Sequence, residues 1–148
     1  MSELSSIEEV IAALQAGKPV LVSDAEDREN EGDAIIAAEF ATQEWLAWMI
    51  RYTSGYICAP MSRERANKLE LPLMWVNNKD PHQTAYTVSV DAASRTSTGI
   101  SAEERALTGR VLADPNSTAD SLIRPGHVIP LRAKPCLLYT SPSPRDRG

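Results

Sequence analysis

Apolar residues at Ile7, Val10, Ile11 and Leu14 recur at the three- and four-residue spacing of a helix, behind Ser5 and Ser6 and ahead of Gly17. Serine at a helix start accepts a bond from the first turn, and glycine lets the chain leave through the left-handed region, so a helix is predicted between them. Two short runs rich in branched and small apolar residues follow, over 19–23 and 34–38, and both read as buried strands. Thr42 is placed to cap a second helix, whose Trp45, Leu46, Met49 and Ile50 form one buried stripe; tryptophans at that spacing are core before they are a ligand box. Further along, 55–59 reads as a strand, 62–69 as a short polar helix and 86–92 as an alternating strand. Ser101-Ala102-Glu103-Glu104 has the form of a capping box opening another helix, and Arg124-Pro125-Gly126 reads as a turn feeding a last strand. Helices and strands interleave without an internal repeat, which predicts an α/β domain with helices packed on a mixed sheet.

Composition narrows the class. With 148 residues, a net charge of -5 and 43% hydrophobic residues, the chain is expected to form one ordinary domain with a real core. No apolar run has the length of a membrane span and no secretory leader is recognisable, so a cytoplasmic location is expected, with no membrane partner. Cys58 and Cys136 make no metal-ligand pattern and suggest no disulfide. An acidic balance without a basic stripe argues against nucleic acid as a partner.

Charge is concentrated between the first two strand runs, where Asp24, Glu26, Asp27, Glu29, Glu31 and Asp33 surround Arg28. Like charges crowded into one connection repel unless a cation, a shared proton or the arginine offsets them, and a hard divalent ion suits carboxylate donors. A plain acidic surface loop is the commoner use of such a run. A calcium loop of the EF-hand kind fits at Asp27, Glu29, Glu31 and Gly32 but fails at its closing acid, which would fall on Ala38, and its flanks are not helical. In an extended segment Glu29, Glu31 and Asp33 would project to one face, and three carboxylates would converge.

The string Asp27-Arg28-Glu29-Asn30-Glu31-Gly32-Asp33 resembles the signature loop of the 3,4-dihydroxy-2-butanone 4-phosphate synthase family. Segments at 53–58, 71–74, 86–92, 97–102 and 124–133 resemble the same family in the same order, and an ordered set is far more specific than any one match. The resemblance implies that family's fold and its reaction, a lyase step of riboflavin biosynthesis that converts ribulose 5-phosphate to 3,4-dihydroxy-2-butanone 4-phosphate and formate. It implies magnesium or manganese as cofactor, a small sugar phosphate as substrate and a homodimer. Carried over residue by residue, it makes Glu29 a metal ligand that also touches substrate, places Arg28 and Asp33 against substrate, and makes Glu31 a further acid or base. A lone histidine is more often structural, but Arg124-Pro125-Gly126-His127 matches the family's turn, which implies that His127 is catalytic. Thr98, beside Gly99, is expected to contact phosphate or sugar, and Cys58 to line the pocket; His82 receives no role.

The motifs end near Pro135, and the Ser-Pro-rich 136–148 resembles nothing in the family. The expectation is therefore a synthase domain over 1–135, incomplete at its C-terminal side, followed by a foreign or disordered tail, the whole acting as an impaired fragment of the lyase. The alternative of a different class is a non-catalytic, divalent-cation-binding acidic domain.

Overall fold

A computed structural model describes residues 4–24 and 30–133. Helix α1 (Ile7–Gln15) begins at Ser6, which exchanges bonds with Glu9 in a full capping box, and ends before Gly17 at φ +69. Strands β1 (Val20–Ser23) and β2 (Gly32–Ile35) pair antiparallel, Val20 with Ile35 through Ser23 with Gly32. The acidic connection is thus the end of a two-stranded ribbon, as the flanking apolar runs imply.

The ribbon is not buried, contrary to expectation. Leu21 is 74% exposed, Val22 and Ile35 are exposed as well, and α1 buries no residue, with Ile7 at 69%. The hydrophobic pattern did mark strands and a helix, but a two-stranded ribbon has one neighbour per strand, and the packing of α1 on β1 leaves its apolar side chains largely uncovered.

The core lies in the second layer. Strands β3 (Cys58–Met61), β5 (Leu122–Arg132) and β4 (Val90–Ala92) form a sheet in that order, β3 parallel and β4 antiparallel to β5, which is the expected mixed sheet. Ala66 and Leu69, at and just after α3 (Arg63–Lys68), close with Leu71, Val90, Leu112, Leu122 and Val128 into one fully buried cluster. Helix α2 (Gln43–Tyr52), capped by Thr42, buries Leu46 and Met49 as its stripe predicts; Leu46 meets Ala106 of α4 (Ala102–Ala113) in a smaller cluster. The strand expected at 55–59 sits at Cys58–Met61, and that at 86–92 shortens to Val90–Ala92, with isolated bridges at Tyr86 and Thr87.

Candidate active site

Arg124-Pro125-Gly126 is not a turn before the last strand; it lies inside β5. Val90 pairs with Val128 while Asp91 pairs with Ile123, so one step along β4 spans five along β5 and residues 124–127 arch away from the ladder. An arch must find other partners for its backbone N–H groups. Side chains at and just before β4 supply them: Gly126 N–H donates to Ser89 Oγ at 3.1 Å, and His127 N–H donates to Asp91 Oδ1 at 2.9 Å. Gly126 is required by closeness, since a β-carbon there would meet the Val90 carbonyl carbon at 2.0 Å.

The arch presents His127 at the end of this contact. Its Nδ1 lies 2.9 Å from Asp91 Oδ2, with the ring 36% exposed and the Asp91 side chain 2%. One carboxylate therefore grips both the backbone and the ring of the same histidine. Around Asp91 the fold gathers cations, with Arg95 Nε at 3.8 Å from Oδ2 and the Arg105 guanidinium close enough to feel the carboxylate's charge. Burial holds Arg105 below its usual value, and Asp91 opposes that shift.

Thr98 sits on the loop that covers Asp91, since Gly99 approaches the Asp91 carboxylate directly. Glu104 organises this loop, and in a way the capping box did not predict. Ser101 Oγ does accept from Glu104 N–H, yet the Glu104 carboxylate turns away from the Ser101 backbone N–H. Its Oε1 accepts from the N–H of Thr96 and Ser97, and its Oε2 from Gly99 N–H and the hydroxyls of Ser97 and Ser101. The Ser97 hydroxyl, with backbone N–H groups behind it, pulls the Glu104 carboxyl down to about 2. Ser97 is thereby committed to structure, while Thr98 stands exposed outside the network.

Strand alternation connects this centre to the acidic connection. Val128 and Pro130 face the core, so His127, Ile129 and Leu131 occupy the opposite face; Cys58 pairs with Ile129 and shares that face. Burial raises the Cys58 thiol, and the nearby Asp33 carboxylate raises it further, both of which disfavour the thiolate. Glu31 and Asp33 line a cavity of about 410 Å³ with Thr53, Ser54 and Tyr56. Cys58, Thr98 and His127 are not among its lining residues; Cys58 stands beside it, near Asp33.

Arg28 and Glu29 lie outside the described residues. Glu31 and Asp33 line one cavity, as the face-sharing argument expects of that pair, whereas Asn30 holds φ +52; the expectation for Glu29 lies outside the described residues. Asp24 fixes the ribbon's end instead, its Oδ1 accepting from Glu31 N–H at 2.9 Å. The cavity's oxygen donors suit a hard divalent ion, although no group of three or more metal-binding side chains gathers among the described residues.

Sequence reasoning missed Asp91 and Glu104. Asp91 falls at a polar position of the 86–92 alternation, where an acid reads as solvent-facing, yet it is buried, and a buried acid asks for a partner. Glu104 was noticed as a cap, but nothing local told that its carboxylate would serve the preceding loop.

Known proteins carry the same arrangement of chain. The Candida albicans 3,4-dihydroxy-2-butanone 4-phosphate synthase is 58% identical over 132 residues, covering 89% of this chain and 65% of its own length. The riboflavin biosynthesis protein RibBA of Nocardia farcinica is 59% identical over 134 residues, covering 90% of this chain and 32% of itself. A crystal structure of a 3,4-dihydroxy-2-butanone 4-phosphate synthase in complex with two magnesium ions superposes with a TM-score of 0.87 at 52% identity, covering 89% of this chain and 62% of that one. This chain thus spans about two thirds or less of the relatives it matches. The sequence model that matches runs over residues 8–141, past the last motif and into the segment expected to be a foreign tail, which lies outside the described residues. A match of that extent, with the fold reproduced, places the chain in the 3,4-dihydroxy-2-butanone 4-phosphate synthase family.

Proposed function

We propose that the site formed by the arch, the acidic ribbon end and the Thr98 loop serves the family's lyase reaction, conversion of D-ribulose 5-phosphate to 3,4-dihydroxy-2-butanone 4-phosphate and formate. The observation that carries this reading is the His127 ring, gripped by buried Asp91 on the sheet face it shares with Cys58, beside which Asp33 of the ribbon stands. The reaction starts by removing a proton next to a ketone, and a partly exposed imidazole with one nitrogen held and the other open is suited to that transfer. Asp33 and Glu31 accept hydrogen bonds from sugar hydroxyls at the cavity wall, Glu31 doubling as an acid or base, and the Thr98 hydroxyl contacts phosphate or sugar. Arg28 adds charge-assisted bonds to the anionic substrate.

Glu29, with the carboxylates at the cavity, would hold a magnesium ion, and manganese has the same preference for oxygen donors. Bound there, the ion supplies Lewis-acid stabilisation of negative charge on sugar oxygens. The neighbouring structure crystallised with magnesium supports this choice of ion. The same reading carries a homodimer, which suits the exposed apolar residues of the ribbon, and a cytoplasmic location, which suits a chain whose described helices include none long and apolar enough to cross a membrane.

The test is formate release from ribulose 5-phosphate with magnesium in excess. Release that stops on chelation supports the lyase. Magnesium binding without any formate would favour the non-catalytic, cation-binding reading, for which the acidic ribbon end alone suffices.

A further inference from the structure

Asp91 is 1% exposed, and the fold leaves it little freedom. Its Oδ1 accepts from the backbone N–H of His127 and its Oδ2 faces Nδ1 of the same residue, each at 2.9 Å. Gly99 closes the remaining side, where a β-carbon would stand 2.1 Å from Oδ2. A carboxylate is costly to bury, and a neutral acceptor would serve a backbone N–H equally well. Arg95 and Arg105 stand close enough to offset the charge, but they do not account for the carboxylate facing a histidine ring as well as a backbone N–H.

Tautomer chemistry does. An ionised carboxylate only accepts, so the ring nitrogen facing it must carry the proton. Neutral His127 is then the Nδ1–H form, and Nε2 keeps its lone pair. Among the described residues no hydrogen bond engages Nε2, and the ring is partly exposed on the face shared with Cys58. We infer that Asp91 is the positioning residue for His127, fixing its orientation and its Nδ1–H tautomer so that Nε2 is the nitrogen that takes and returns the substrate proton. The charge of Asp91 also stabilises the imidazolium formed when Nε2 accepts that proton, as in other carboxylate–histidine pairs.

This inference rests on the lyase reading for its substrate, but not for its geometry. Asp91→Asn separates the roles within one carboxylate. The amide oxygen can still accept from the His127 backbone N–H, whereas the amide nitrogen donates to Nδ1 and forces the proton onto Nε2. The arch is kept and the tautomer reverses.

The test is ¹⁵N NMR of the imidazole nitrogens in the whole 148-residue chain, which has only two histidines, with His82→Gln assigning the signals. Expected are an Nδ1–H neutral ring for His127 in the wild type and an Nε2–H ring in Asp91→Asn. A wild-type ring that is mainly Nε2–H overturns the inference, and that measurement stands even if the variant does not fold. An unchanged tautomer in a folded variant overturns it too. In protein that releases formate, Asp91→Asn should lower kcat about a hundredfold or more with KM little altered. A raised KM at unchanged kcat would make Asp91 a binding or merely structural residue. Absence of formate from the wild type would count against the lyase reading alone, because the tautomer is read without turnover.

Discussion

Gly99 and Asp91 touch so closely that the glycine has no room for a side chain: a β-carbon would lie 2.1 Å from Oδ2 and 2.4 Å from Cγ of the carboxyl group. The carboxyl group cannot swing away without releasing both the backbone and the ring of His127. Gly99 also holds φ +93, where an L side chain is strained. Gly99→Ala should therefore cost about 1–2 kcal/mol for the backbone and about 1–3 kcal/mol for the overpacking. Denaturant titration checks the sum, and a loss under about 0.5 kcal/mol would mean that Asp91 is not held in place.

Gly126 fails differently. Its φ is not in the left-handed region, but a β-carbon there meets the backbone of Val90 and Asp91, which cannot rotate aside as a side chain can. Gly126→Ala should push the arch off β4 and break the Ser89 and Asp91 contacts together. The expected sign is faster hydrogen exchange at the Gly126 and His127 amides than in the wild type, with the α2 and α4 amides unaffected.

Glu104 should make stability depend on acid. Its folded carboxyl sits at about 2 against an ordinary 4.5, chiefly through the Ser97 hydroxyl. A depressed carboxylate contributes stability that is complete above its unfolded value and is lost as pH falls through the folded one. Wild type should thus lose stability progressively as pH falls from about 4.5 towards 2 by this group. Glu104→Gln should be less stable at neutral pH, because its amide nitrogen would face the Ser97 or Gly99 N–H, donor against donor. The gap between the two proteins should close towards pH 2, and thermal melts across that range would show it. A constant gap would mean that the carboxylate's charge is not what orders the loop.

Local signals in the sequence were legible where local physics decides. Ser6, Thr42 and Ser101 cap the helices expected of them, and Leu46 and Met49 are buried as their spacing requires. Leu21 and Ile35 are exposed, against expectation, because a short apolar run marks a strand without saying whether another layer covers it. The Arg124-Pro125-Gly126 turn was misread for a related reason. Proline and glycine do signal a break, but whether the chain reverses or arches within a strand is set by the opposite segment, whose Ser89 and Asp91 stand ready as acceptors. Asp91 and His127 are 36 positions apart, so no local window contains their pairing. The motif match supplied His127 without its partner.

Magnesium should stabilise the chain through Glu29. A ligand that binds only the folded state adds about 1.4 kcal/mol at ten times its Kd, which a thermal melt detects. Glu29→Gln replaces a carboxylate oxygen by a neutral amide, which holds magnesium less well, and should abolish the magnesium-dependent rise in Tm while leaving the metal-free stability within about 0.5 kcal/mol of wild type. An equal magnesium response in both proteins would move the ligand role to Glu31 or Asp33, the carboxylates that line the cavity.

Replacing His127 tests the chemistry most directly. Asn is the suitable choice because its amide nitrogen can reach about where Nδ1 stands and donate to Asp91 Oδ2, so the arch keeps the contact that closes it. What is lost is Nε2, the nitrogen free to move a proton. General acid–base groups contribute about 10²–10⁴-fold to turnover, and such a group acts in the transition state more than in substrate binding. His127→Asn should therefore lower kcat for formate release by about that factor and leave KM nearly unchanged. Asp33, at the cavity wall and proposed to contact sugar, should show the other pattern, Asp33→Asn raising KM more than it lowers kcat. If His127→Asn instead weakens affinity and keeps its turnover rate, the ring holds substrate and some other group moves the proton. Glu31, at the cavity wall, would then be the first candidate.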